Sequence, residues 1–216
     1  MTIFNGGTLS TAGNLVFEGS ADGRVIAYAA DTGEKLWEQP AASGGMAEPF
    51  TYSVDVEQYV TFMAGWGGAC STFAGALSLR AGVQPYAQVL TYKLGGTAKL
   101  QEPAPRPDTP KPPALSNDTA SIEAGAKLYD GYCSQCHGIH AVSGGVLPDL
   151  RKLTPEKHQM FLGILFGGRV PDGMPSFADA FTPEQVDQIH QYLIKRAHDL
   201  HQEGDTWKQF SAKSSH

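Results

Sequence analysis

Residues 133–138 read CSQCHG. Two cysteines two residues apart, followed at once by a histidine, admit three chemistries: a redox dithiol, half of a zinc site, or a covalent attachment point for haem. A structural zinc takes four ligands, usually as two separated pairs. The remaining cysteine, Cys70, lies far upstream in a stretch of different character, so a fourth ligand is not obvious. A thioredoxin-like dithiol sits beside a βαβ pattern, whereas the surroundings of this motif have helical period. Haem attachment needs two thiols at this spacing, one for each vinyl group, and a neighbouring histidine for the iron. Cys133, Cys136 and His137 supply all three.

The flanks of the motif are helical. NDTASIEAGAKLYDGYC (117–133) opens with a capping cluster and then places Ile122, Ala126 and Tyr129 at helical spacing. TPEKHQMFLGILFGG (154–168) offers Thr154 as N-cap, Pro155 in the first turn and glycines at the end, the pattern of one helix. TPEQVDQIHQYLIKRAHDLHQ (182–202) repeats the Thr-Pro-Glu opening, and Val186, Ile189, Leu193 and Ile194 build an apolar face. Residues 119–202 therefore read as a small all-α domain, followed by a tail at 203–216 that yields no interpretation.

Methionine is a common second axial ligand of a c-type haem and raises its potential. Met160 sits beside Phe161 and Ile164 in an apolar segment and reads as core. Met174 sits in PDGMPSF (171–177), a loop locked by Pro171, Gly173 and Pro175, and is the expected ligand. A ligand histidine needs its other ring nitrogen fixed, often by a carbonyl. GGVLPDL (144–150) brings Pro148 eleven residues after His137, where the loop could offer one. His140, His158, His190, His198, His201 and His216 read as polar-face or tail residues.

Ahead of this domain lies GTAKLQEPAPRPDTPKPPALSND (96–118), with six prolines between Pro103 and Pro113. No helix or central strand survives that density. An extended polyproline linker is expected, able to span up to roughly 70 Å or to lie along a neighbour. Residues 1–95 read as β. The strands NLVFEG, RVIAYA, EKLWE, PFTYSV, QYVTFMAGW and QVLTYKLGG are separated by glycine-bearing or Asp-bearing turns at 20–23, 31–33 and near Asp55. Six strands make one blade-like sheet and part of a second.

Composition excludes several classes. Residues 1–94 carry 4 Lys/Arg against 8 Asp/Glu, and residues 119–216 carry 9 against 11. With no basic patch, nucleic-acid binding is not expected. No apolar run reaches the ~18 residues of a membrane helix, so the chain is not expected to be an integral membrane protein. The N-terminus MTIFNGGTLSTAGN lacks the basic start and apolar core of a signal peptide.

The α unit resembles a class I cytochrome c. CSQCH, Gly125 and Tyr129 in the first helix, Pro148, GMPSF, and Tyr192 in the last helix carry the resemblance. It implies that the first and last helices cross where a glycine meets an aromatic, roles that Gly125 and Tyr192 fit. In the β part, AYAADTGEKLWE (27–38) resembles the tryptophan-docking repeat of quinoprotein propellers. Ala27, Thr32, Gly33 and Trp37 match, whereas Ala29 and Glu34 stand where that pattern has Asp and Lys. The resemblance implies that Trp37 wedges flat between adjacent blades.

The order of parts is similar to the C-terminal end of quinohaemoprotein alcohol dehydrogenases, which use pyrroloquinoline quinone (PQQ). The fold expected is a partial β-propeller of one to two blades followed by an all-α class I cytochrome c domain. The resemblance implies haem c on Cys133 and Cys136 with His137 and Met174 on the iron, and places Gly65 and Trp66 near the PQQ edge. It further implies PQQ and Ca²⁺ in a complete eight-bladed propeller, an electron acceptor that is a protein or a quinone, and a periplasmic location, since thioether attachment takes place outside the cytoplasm. Cys70, between Ala69 and Ser71, does not match the adjacent-cysteine disulfide of that family. No catalytic residue, Ca²⁺ cluster or PQQ-stacking pair is identified. With the missing leader, this suggests a truncated chain lacking its N-terminal propeller and inactive alone. The alternative is a stand-alone electron-carrier cytochrome c with a β partner-binding module.

Overall fold

The computed structural model describes residues 5–67, 86–101, 104–105 and 108–203. The chain divides into two compact units, the first ending at Arg106 and the second beginning at Pro107. Among the described residues, no helix is long and apolar enough to cross a membrane.

Among the described residues, the first unit contains two antiparallel sheets. β1 (Asn5–Thr11), β2 (Leu15–Ser20), β3 (Arg24–Ala29) and β4 (Lys35–Pro40) form one in sequential order. β5 (Phe50–Val54), β6 (Glu57–Ala64) and β7 (Gln88–Lys93) form the other. β1 adds a strand to the six read from the sequence, and its Gly6 and Gly7 are weak strand formers. Glycine is needed at Gly6 for space: an added Cβ would lie 2.7 Å from the Gly45 carbonyl oxygen. The turn after Ser20 closes with the Gly23 N–H donating to the Ser20 carbonyl (3.1 Å), Gly23 taking φ +82°.

β3 buries Val25, Ile26 and Ala27 in succession and β6 buries Val60, Thr61 and Phe62, so both faces of these strands are covered there, whereas β7 alternates. Val25, Ala41, Val60, Phe62 and Ala64 form a buried cluster, with Phe17, Trp37, Leu90 and Tyr92 packed on it. Trp37 is half-buried and meets Tyr92 edge-on, with ring centroids 5.0 Å apart at 78°. An edge-to-face contact of this kind is one that aromatic quadrupoles favour. Apart from Thr61, the opposite residues of β5–β7 stay open. Phe50, Tyr52, Val54, Met63 and Val89 are all exposed, and Tyr52 stacks on Tyr59 across the ladder at 5.4 Å.

The second unit is helical: α1 (Thr119–Tyr132), α2 (Ser134–His137), α3 (Pro155–Gln159), α4 (Phe161–Gly167) and α5 (Pro183–Glu203). Local caps set the helix starts. Asp118 accepts from the Ser121 N–H (3.0 Å), and Thr154 accepts from Lys157. Thr182 and Gln185 form a reciprocal box, Oγ1 accepting from one N–H (3.2 Å) and Oε1 from the other (2.9 Å). α5 buries Val186, Ile189, Leu193 and Ile194, the apolar face legible in the sequence. These meet Tyr129, Leu153, Phe161, Leu165 and Phe181 in one core. Full burial of such side chains contributes about 1.5–3 kcal/mol each.

Three expectations need correction. Segment 154–168 is not one helix: it breaks at Met160, which has φ −91° and ψ 4°. Met160 is accordingly 62% exposed rather than core, while Phe161 and Leu165 turn inward. The polar-face histidines are also not all solvated: His158 Nδ1 and His190 Nε2 are 2.7 Å apart, and Phe161 stacks on His190 at 4.4 Å. The first and last helices cross with Gly125 against the backbone of Gln188 and Ile189, and one turn on Tyr192 packs against Tyr129 (5.3 Å).

Candidate haem-attachment site

α1 and α2 place the motif. The Cys133 N–H closes the last turn of α1 on the Tyr129 carbonyl (2.8 Å). The Cys133 carbonyl then accepts from the His137 N–H (2.9 Å), so both cysteines and the histidine share one compact turn. Cys133 is half-buried, and burial, followed by the neighbouring Cys136, pushes its thiol up to about 11. Cys136 is exposed.

The chain leaves the motif through a strained loop. Gly138 has φ +88°, and an added Cβ would stand 2.0 Å from the Val142 carbonyl oxygen. His140 and Ala141 follow at φ 55° and 61°, a left-handed pair of residues that carry a Cβ. Such strain persists only where surrounding contacts over-determine it. Two contacts do so here: the Tyr129 hydroxyl donates to the Gly138 carbonyl (2.8 Å, buried), and Arg196 Nε on α5 donates to the His140 carbonyl (3.0 Å). Burial raises the Tyr129 phenol far above its ordinary value, which keeps it a donor.

His137 Nδ1 lies 3.0 Å from the Pro148 carbonyl oxygen. A carbonyl only accepts, so Nδ1 carries the proton and Nε2 presents its lone pair, the tautomer a metal needs. The loop that offers this carbonyl is itself held. Ser143 Oγ donates to the Leu147 carbonyl (2.6 Å), and buried Arg151 forms a bidentate pair with Asp149 (3.0 and 2.7 Å).

Met174 is stitched to α4. Met174 and Arg169 exchange two backbone hydrogen bonds (2.8 and 3.1 Å), with Gly173 at φ +84° in the turn between them. Ser176 Oγ donates to the Phe166 carbonyl (2.6 Å), and the Phe177 N–H to that of Leu165 (2.9 Å). Met174 and Cys133 are both partly buried against the same core cluster. Ile139, Val146 and Val170, on the three loops concerned, expose apolar side chains. Two thiols, an imidazole with a free Nε2, a thioether and apolar loops are a donor set that fits a covalently bound haem. Sequence reasoning missed Arg196, since nothing local announces a donor that reaches 56 residues back along the chain.

In the β unit, the Gly65 N–H donates to the Gly44 carbonyl (2.7 Å), with Gly65 at φ +148° and Trp66 buried. Cys70 lies outside the described residues. Asp22 is engaged by Arg24 through two hydrogen bonds (2.9 and 2.7 Å), and Asp31 and Asp55 are exposed. Among the described residues, no three His, Cys, Asp or Glu side chains converge where a metal ion could sit, so they offer no carboxylate cluster for Ca²⁺.

Residues 2–60 match the family model of the glucose/ethanol/alcohol dehydrogenase β-propeller domain. Residues 120–193 match that of the cytochrome c oxidase, cbb3-type, subunit III. Over its whole length the chain is 97% identical to a quinohemoprotein alcohol dehydrogenase, ADH-IIG, of Pseudomonas putida, and covers 30% of it. It is 42% identical over 201 residues to ADH IIB of the same organism, covering 29% of that protein. The solved structure of ADHIIG superposes with a TM-score of 0.92 at 98% identity, over 97% of this chain and 31% of that one. The quinohemoprotein alcohol dehydrogenase of Comamonas testosteroni superposes with a TM-score of 0.72 at 37% identity, over 91% of this chain and 28% of that one. The chain therefore spans about 30% of the length of the curated relatives it matches.

Proposed function

We infer that this chain, which belongs to the quinohaemoprotein alcohol dehydrogenases as a partial β-propeller followed by a helical cytochrome c domain, carries the electron-transfer function of such an enzyme. Cys133 and Cys136 would hold haem c through thioether bonds, and His137 and Met174 would ligate its iron. When bound, the haem would supply one-electron chemistry between PQQ and an acceptor that is a protein or a quinone. The complete enzyme would oxidise an alcohol to an aldehyde in the periplasm, with PQQ and Ca²⁺ in its propeller. The organisation proposed is 1–95 propeller, 96–118 linker, 119–202 cytochrome c domain and 203–216 tail.

The observation that carries this reading is the 3.0 Å contact from His137 Nδ1 to the Pro148 carbonyl. It fixes the ring and frees Nε2 on the turn that bears both thiols. The residues around it orient rather than react. Tyr129 and Arg196 hold the Gly138 and His140 carbonyls, and the Arg169–Met174 pairing holds the thioether. Gly65 and Trp66 are assigned to the neighbourhood of PQQ. The open apolar face of Phe50, Tyr52, Met63 and Val89 fits a further propeller blade better than a small partner-binding module, because a blade covers a whole sheet face.

The test is expression with an export signal and a haem-maturation system. A haem-stained band should survive a denaturing gel and disappear in Cys133→Ala/Cys136→Ala. Haem lost on acid-acetone extraction would defeat the assignment. The chain alone, with PQQ and Ca²⁺ added, should show no dye-linked alcohol oxidation above a blank preparation.

A further inference from the structure

The last turns of α5 carry two histidines that the haem site does not use. His198 Nε2 lies 2.8 Å from the Pro113 carbonyl oxygen, and His201 Nε2 lies 2.9 Å from that of Pro110. Carbonyls only accept, so each Nε2 donates. The spacings correspond. His198 and His201 are three residues apart, hence neighbours on one helix face. Pro110 and Pro113 are also three apart, and a polyproline II helix has three residues per turn, so their carbonyls point to the same side. The two elements run antiparallel, the earlier histidine taking the later proline. Thr109, Pro110, Pro112 and Pro113 are half-buried, whereas Lys111 between them is exposed.

Proline makes this fastening efficient. It lacks an N–H, so the segment cannot satisfy itself in a helix or ladder, and its carbonyls stay available to outside donors. Its fixed φ means that little conformational freedom is lost on docking.

We propose that His198 and His201 form a clamp that holds the polyproline segment 110–113 on the last helix of the cytochrome unit. The clamp sets the working length of the connection between the two parts of the chain. At ~3.1 Å per residue, residues 96–118 would reach roughly 70 Å if free. Gln88 Nε2 on β7 donates to the Gln101 carbonyl (3.4 Å), so with Pro110 fastened the connection that remains is 102–109, or roughly 25 Å. His198 and His201 are thus positioning residues: they shorten the free connection between the cytochrome unit and the part expected to hold its electron donor. This consequence rests on the electron-transfer reading above, whereas the clamp itself does not.

The clamp can be read directly in the full chain. Lys111 is replaced by p-acetylphenylalanine and coupled to a nitroxide, a chemistry that ignores every cysteine and works with or without haem. The parent should give a motionally restricted spectrum. His198→Ala/His201→Ala should lose the restricted component and show the sharp lines of a label on a flexible peptide. His198→Gln/His201→Gln, which keeps an N–H donor at nearly the reach of Nε2, should restore it. Far-ultraviolet circular dichroism confirms that each variant is folded, and the single Ala variants serve if the double variant is not. A parent spectrum already sharp, an Ala variant as restricted as the parent, or a Gln variant as mobile as the Ala variant would each overturn the clamp. Haem staining of the same samples reports on the electron-transfer reading separately.

Discussion

Gly125→Ala sets two effects against each other, and the structure decides between them. In the middle of a helix, Ala is better than Gly by about 1 kcal/mol. Judged by propensity, the substitution in α1 should stabilise. At this position, however, the new Cβ would stand 1.9 Å from the Gln188 carbonyl oxygen and 2.4 Å from its carbonyl carbon. Both belong to backbone within α5, which no side-chain rotation can move aside. Real Cβ contacts are not shorter than 3.0 Å, so α1 and α5 must separate by more than 1 Å at their crossing. That opens the interface holding Tyr129, Ile189 and Leu193, all fully buried. Overpacking of this kind costs about 1–3 kcal/mol and occasionally more. Backbone on backbone belongs at the upper end, which leaves a net loss of about 2 kcal/mol. For a unit of this size that lowers the melting temperature by about 8–16 °C. Gly131, in the same helix, is the control: nothing lies within 4 Å of its added Cβ. Gly131→Ala should stabilise by up to about 1 kcal/mol. The assay is thermal unfolding of the haem-loaded chain, followed by the haem absorption band and the helical signal. A Gly125→Ala protein as stable as its parent would falsify the crossing geometry.

Other expectations are equally direct. The β5–β6 turn puts Asp55 and Val56 at φ 49° and 66°, and a fully exposed, β-branched Val56 is strained there. Val56→Gly should stabilise the β unit by about 1 kcal/mol, read as a higher denaturant midpoint by tryptophan emission; an unchanged or lower midpoint refutes the turn assignment. Burial and then His158 lower His190 to about 4, with Asp187 opposing, and burial lowers His158 as well. A histidine depressed on folding binds fewer protons when native, so its contribution is intact above pH 6.5 and is lost as pH falls toward 4. The fall in urea midpoint over that window should be smaller in His190→Gln than in the parent, and equal falls count against the buried pair. Met174→Ala should lower the haem potential and abolish the weak sulfur-to-iron band of the ferric protein. Met160→Ala should keep that band and, being exposed, change stability by less than about 0.5 kcal/mol. The reverse pattern would show that the methionines were exchanged.

The sequence by itself determined whatever is settled within a few residues. CSQCH sets thiols and imidazole on one turn because the spacing is covalent. Thr154 and Thr182 start their helices because a capping hydroxyl and the N–H that donates to it lie three residues apart. The runs RVIAYA and QYVTFMA mark β3 and β6 because short apolar stretches between turns form buried strands. Tertiary structure decided what depends on the partner. Met160 and Phe161 are adjacent and both apolar, yet one is exposed and the other buried, because the helix breaks between them to follow the core. The resemblance put Gly125 at the helix crossing, and the approach of the Gln188 backbone supplies the reason that no side chain fits there. The histidines show the division most plainly. His158 pairs across 32 residues, and His198 across 85. A histidine on a polar helix face carries no local mark of the acceptor it will meet. That acceptor is fixed by where the chain returns, and the return is set by the packing of the whole unit.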